Sequence, residues 1–185
     1  TTLTEEEIFA NAAVMMFGAI ETSEGTTAGT LLHLLQHPEQ LDQVQNDRSL
    51  VSAAIDETLR LEPSVTLVDR YATTATELSG VAIAEGDLVS VSLAAANRDP
   101  AVFDLPDQFD IHRHNLRQHV TFVQGPHRCL GMHLARLETQ IALNAVLDHL
   151  PGLVFDQQNS TPARGLVFRK PVAVTALWES STKLP

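Results

Sequence analysis

The stretch from Phe122 to Glu138, FVQGPHRCLGMHLARLE, holds the only cysteine among 185 residues. A lone thiol cannot close an internal disulfide, so attention turns to what the sulfur does. Gly125-Pro126 predicts a turn just ahead of it. The spacing of Leu130, Leu134, Leu137, Ile141, Ala145 and Leu147 predicts a helix that begins beside Cys129 and runs to about His149. Unpaired amides and the positive end of the helix dipole favour a thiolate at such a position. Gly131, two residues on, lets the backbone pass close to a bulky partner.

Four roles are open to Cys129 on this pattern. It could be a small buried side chain, the usual fate of a single thiol. As a nucleophile it would need a base, which His127 or His133 could supply, although no oxyanion-hole motif accompanies them. A zinc site could recruit His112, His114, His119 or His127, but the paired ligand spacing of zinc modules is missing. The fourth role is an axial thiolate on haem iron.

The elements that must position this loop can be read in order. Thr4, with Glu7 three residues on, forms a capping box, and Leu3 with Ile8 can form a hydrophobic staple. No proline interrupts until Pro38, which predicts one long helix from Thr4 to about Gln36. Its middle, FGAIETSEGTTAG, is poor in helix formers, which fits either close approach of a ligand with or without a local distortion, or a polar helix face with small packing residues. Pro38 suits the first turn of a second helix to about Asp47, and SLVSAAIDETLRLE predicts a third that ends at Pro63. From Val65 short alternating runs separated by Gly80 and Glu85-Gly86-Asp87 predict a small hairpin sheet. Residues 97–121 are loop-rich, and GLVFRKPVAVTALW predicts a terminal hairpin around Lys170-Pro171. The fold class is mainly α with small β-sheets, an α+β arrangement.

Twelve Lys+Arg against 23 Asp+Glu give a net charge of -11, which disfavours nucleic acid and anionic membrane as partners. No apolar run reaches the length of a membrane span and no signal peptide is visible, so the reading is cytoplasmic.

The cysteine segment resembles the haem-binding loop of the cytochrome P450 family, Phe-x-x-Gly-x-His/Arg-x-Cys-x-Gly, matched by Phe122, Gly125, His127, Cys129 and Gly131. Leu134 to Glu138 matches the Leu-Ala-Arg-x-Glu that often follows. Glu57-Thr58-Leu59-Arg60 resembles the family's Glu-x-x-Arg motif, whose i, i+3 spacing lets acid and guanidinium pair on one helix face. Ala96 to Pro100 and Phe109 to Arg113 resemble bacterial segments found between these motifs. Gly18-Ala19-Ile20-Glu21-Thr22 is similar to the oxygen-activation motif, Ala/Gly-Gly-x-Asp/Glu-Thr.

The resemblance implies the C-terminal haem-binding half of the cytochrome P450 fold over residues 1–185, matched from Leu3 to Val174, with the N-terminal half absent. It implies haem b (iron protoporphyrin IX) on Cys129, with Gly18 and Ala19 on the distal face. Glu21 and Thr22 would handle protons in oxygen activation, and Arg70 and His127 would meet the haem propionates. Val65 to Val68, Val167 and Phe168 would line the pocket. The implied function is a bacterial-type monooxygenase that inserts one oxygen atom from O2 into an apolar small molecule. Electrons would come from a ferredoxin or flavoprotein reductase. The alternative is a non-catalytic haem-binding or interaction module. Three departures touch the geometry: Ala19 and Val123 stand where glycine is usual, and Gln108 where a third, arginine partner of Glu57-Arg60 is usual, a role Arg113 could take. A half-length chain would expose one side of its long helix, which predicts a missing half or a dimer partner.

Overall fold

Thr4 starts the first helix as its sequence requires. Its Oγ1 accepts the Glu7 amide at 3.2 Å while its own amide donates to Glu7 Oε2 at 2.8 Å. In a computed structural model, which describes residues 2–179, α1 then runs unbroken from Glu5 to Gln36. The staple partners Leu3 and Ile8 are both exposed. The hydroxyls of Thr22, Thr26, Thr27 and Thr30 each donate to the carbonyl four residues earlier. These back-bonds satisfy side chains that would otherwise compete with the helix, so the poor helix formers leave it continuous.

Residues 37–61 fold back as α2 (Pro38–Asn46), a 3-10 turn (Arg48–Leu50) and α3 (Val51–Leu61). Every residue of α3 from Ala54 onward is buried, so this helix threads the centre of the structure. Ile55 and Leu59 pack in one core with Leu34 and Leu35 of α1, Val44 of α2 and Leu143 and Leu147 of α5 (Met132–His149). Each fully buried aliphatic side chain there contributes about 1.5–3 kcal/mol.

Between α3 and α5 lie two antiparallel pairs. β1 (Leu67–Tyr71) pairs with β4 (Leu88–Ser92) in the register Leu67 to Ser92, and β2 (Thr76–Leu78) pairs with β3 (Val81–Ile83). Ser79 and Gly80, with φ of 51° and 82°, make the primed two-residue turn that the twist of a hairpin favours. A short α4 (Leu93–Ala96) leads into the loops that precede α5.

The C-terminal end corrects one expectation. Lys170-Pro171 is not the tip of a hairpin but a strand, β7, paired with β6 (Ala163–Arg164). The reversal belongs to Gly165, whose φ of 121° and whose added Cβ would fall 1.8 Å from the Phe168 carbonyl oxygen. Only glycine fits there. The last strand, β8 (Ala176–Leu177), pairs instead with β5 (Val154–Phe155).

The fold is thus mainly helical with small two-stranded ladders. The first half of α1 stands out from it: residues 5–20 are all exposed, among them Phe9, Val14, Met15, Met16, Phe17 and Ile20. This is an apolar surface far beyond single scattered residues. Among the described residues no helix is long and apolar enough to cross a membrane.

Candidate functional site

Cys129 lies three residues before the first residue of α5, outside the helix proper, with Gly131 as the cap. The loop that carries it is closed on itself. The Cys129 amide donates to the Phe122 carbonyl at 3.0 Å and the Arg128 amide to the Gly125 carbonyl at 3.1 Å. Gly125, at φ 79°, opens a 3-10 turn over Gly125–His127. The thiol is exposed, and no hydrogen bond to its Sγ exists among the described residues.

The sulfur-bearing loop borders a cleft of about 290 Å³. Phe122, Val123, His127, Cys129 and Gly131 form one part of its wall, and Phe17, Gly18, Ala19, Thr22, Ser23 and Thr26 of α1 form another. Val65, Val68, Leu93 and Phe168 complete an apolar lining. Phe17 and Phe168 meet edge to face at 5.1 Å between ring centroids. The three glycines of α1 differ in role. Beside Gly29 a Cβ would press on Thr58, and beside Gly25 it would fall 2.7 Å from Ser64 Oγ, whereas Gly18 faces open space.

Thr22 is tied to its surroundings by three hydrogen bonds. Its Oγ1 donates to the Gly18 carbonyl at 2.6 Å, and its carbonyl accepts the Thr26 hydroxyl at 2.9 Å and the Ser64 hydroxyl at 3.2 Å. Ser23 Oγ donates to Glu138 Oε2 at 3.0 Å, tying α1 to α5 across the site.

Glu21 does not line the cleft. Its Oε2 lies 2.7 Å from Lys170 Nζ, which also bonds Glu24 Oε2 at 2.6 Å. Bonds from Glu21 first and Glu24 second raise the Lys170 ammonium above its ordinary 10.5. Arg70 sits on β1 beside cleft-lining Val68, exposed, with Nη1 on the Asp69 carbonyl at 2.7 Å. Gly125 and Val167 also lie outside the lining.

Glu57 and Arg60 form a fully buried pair behind this loop, joined at 2.7 Å and 2.8 Å. Arg60 spends its remaining donors on the carbonyls of Asn97, Pro106 and Gln108. The third partner is Arg113, whose Nε lies 3.1 Å from Glu57 Oε1, while Gln108 supplies only its carbonyl.

Two contacts were not visible in the sequence. Lys170 reaches Glu21 from 149 positions away, and Ser64 reaches Thr22 from 42; no local spacing signals either. Among the described residues no group of three or more His, Cys, Asp or Glu is placed to hold a metal ion.

Comparison with known proteins gives one family. Its model, cytochrome P450, matches residues 1–172. The biotin biosynthesis cytochrome P450 of Bacillus subtilis is 41% identical over 151 residues, 82% of this chain and 38% of that protein. The 20-oxo-5-O-mycaminosyltylactone 23-monooxygenase of Streptomyces fradiae is 39% identical over 96% of this chain and 41% of its own length. A crystal structure of P450BioI in complex with an acyl carrier protein ligated to hexadec-9Z-enoic acid superposes with a TM-score of 0.90 at 36% identity. That match covers 96% of this chain and 46% of the other. The chain spans less than half the length of these relatives.

Proposed function

This chain belongs to the cytochrome P450 family, and on that premise we propose that residues 1–185 form the haem-thiolate part of a monooxygenase. Cys129 would hold the iron of haem b through its sulfur. The substrate is an apolar small molecule that receives one oxygen atom from O2, with electrons from a ferredoxin or flavoprotein.

The observation that carries this reading is the exposed Cys129 thiol bordering the same apolar cleft as the Gly18–Thr22 turn of α1. The donor set fits the group. A single soft sulfur without a hydrogen-bond partner suits iron, apolar walls suit a porphyrin, and Gly18 leaves space where a side chain would intrude. When bound, the haem supplies the reductive activation of dioxygen, with thiolate donation favouring O–O cleavage.

The chain's own residues position and supply protons. Thr22 Oγ1 gives its proton to the Gly18 carbonyl and keeps its lone pairs free, so it can accept a hydrogen bond in the cleft. A turn of that hydroxyl away from Gly18 would hand the proton into the cleft. Glu21, one residue earlier and held by Lys170 on the solvent side, relays protons taken up from solvent toward that hydroxyl. Phe17, Val65, Val68 and Phe168 exclude water and orient an apolar substrate. His127, in the lining, and Arg70, on the strand of Val68, are the groups available to the propionates.

The exposed apolar half of α1 fits a segment that completes the distal pocket, whether a missing half or a dimer partner. It also gives the second reading its support: with that side uncovered, the chain would bind haem or a partner without turning over substrate.

Turnover of an apolar probe with a surrogate reductase separates the two. Native protein is expected to form hydroxylated product, and Thr22→Ala to consume reducing equivalents with little product. No product from haem-loaded native protein, or unchanged coupling in Thr22→Ala, contradicts the proposal.

A further inference from the structure

Asp56 adjoins Glu57 in sequence and is 3% exposed, yet the two carboxylates share no partner. Arg136 Nε of α5 donates to Asp56 Oδ1 at 2.8 Å. His119 Nε2 lies 3.7 Å from the same oxygen, and Arg117 Nε lies 3.7 Å from Oδ2. Burial opposes the charge of Asp56, but the neighbouring His119 and the bond from Arg136 outweigh it and hold the carboxyl below its ordinary range.

The network ends on the cysteine loop. The Arg136 guanidinium lies 4.6 Å from the Phe122 ring centroid, a cation–π contact, and Arg136 Nη2 is 3.3 Å from His119 Nε2. The His119 ring lies 5.9 Å from that of Phe122 on another side. Phe122 in turn accepts the Cys129 amide through its carbonyl. A continuous set of contacts therefore runs from the central helix to the thiol: Asp56, Arg136, Phe122, Cys129.

We infer that Asp56 is a positioning residue for Cys129, fixing the cysteine loop through Arg136 and the Phe122 ring. Its functional consequence rests on the proposal that Cys129 is the haem ligand. The Glu57–Arg60–Arg113 cluster binds carbonyls at Asn97, Pro106 and Gln108, upstream of the cysteine loop; Asp56 reaches the loop through Arg136. A carboxylate is needed because Arg136 must be held over the ring, and an amide would return a weaker, uncharged bond.

Amide hydrogen exchange and the carbon monoxide difference spectrum of the haem-loaded protein test this together. In Asp56→Asn the Cys129 amide is expected to exchange about tenfold faster than in native protein, while Thr58 and Leu59 of α3 keep their protection. The red-shifted Soret band should decay about tenfold faster at the same time. Arg136→Gln should reproduce both effects, and the double variant should add little to either single one. Should Asp56→Asn fail to fold, Arg136→Lys, which keeps the charge and loses the guanidinium over the ring, should still speed Cys129 exchange. Native-like exchange at Cys129 in either folded variant, or strictly additive effects, overturns the inference. A native protein without the red-shifted band would instead contradict the haem-thiolate reading, and the exchange rates would still decide the role of Asp56.

Discussion

Lys170 Nζ lies 2.7 Å from Glu21 Oε2, bridging the C-terminal ladder to the turn of α1 that borders the cleft. Gly25 makes the approach possible, since a Cβ there would sit 3.2 Å from Lys170 Cβ. Lys170→Met should leave haem binding intact and lower the yield of product per reducing equivalent, because the Glu21 carboxylate is no longer held in place beside the cleft. Lys170→Arg should restore most of it. The pair also has a pH signature. A raised ammonium pKa adds stability that is full below the ordinary 10.5 and is lost as pH climbs through the higher folded value. The stability difference between native and Lys170→Met should be flat through neutral pH and vanish only above that range.

Val123 occupies the left-handed region at φ 50°, a conformation that a β-branched residue adopts only under strain. Such backbone costs about 1–2 kcal/mol outside glycine. Val123→Gly and Val123→Ala both lose the side chain, but only the first relieves the backbone. Chemical denaturation should find the Gly variant more stable than the Ala variant by about 1 kcal/mol. An Ala variant as stable as Gly would show that the loop is unstrained.

His33 stacks on Phe109 at 5.0 Å, and burial, then His37, Arg98 and Arg60, push its pKa down from 6.5 to about 4. The folded protein holds the ring neutral where the unfolded chain would protonate it, so stability falls as pH drops from 6.5 towards 4 and levels off below. The loss attributable to this residue is about 3 kcal/mol at most. Native protein should lose stability relative to His33→Phe as pH falls through that window, in denaturation curves of the two; a difference that does not change with pH would contradict the buried neutral ring.

Glu57 is fully buried and accepts from both Arg60 and Arg113. Glu57→Gln leaves two buried guanidinium groups short of their counter-charge, which should cost about 3–5 kcal/mol or prevent folding. A thermal midpoint equal to native would contradict the central place of this pair.

The helices were legible because their signals are local: Thr4 with Glu7 fixed the start of α1, and Pro38 and Pro63 marked the boundaries of α2 and α3. The same holds for the Glu57–Arg60 pair, three residues apart on one helix face, and for the Ser79-Gly80 turn. Contacts set by tertiary packing were not legible. Asp56, His119 and Arg136 come from a helix, a loop and another helix, and nothing in their spacing announces that they meet. Two-residue ladders carry too few residues for alternation to show, which is why Lys170-Pro171 reads as a turn while Gly165 makes the actual reversal. Arg70 and Glu21 are read as site residues by motif alone, and their side chains lie on the Asp69 carbonyl and on Lys170, beside the cleft and outside its lining.

The most direct measurement is the carbon monoxide difference spectrum of the reduced, haem-loaded protein, recorded for native and for Cys129→Ser. A strongly red-shifted Soret band in the native protein, lost on replacing that one sulfur, is the predicted result. A native band without the red shift, or the same shifted band in Cys129→Ser, would mean that Cys129 is not the thiolate ligand.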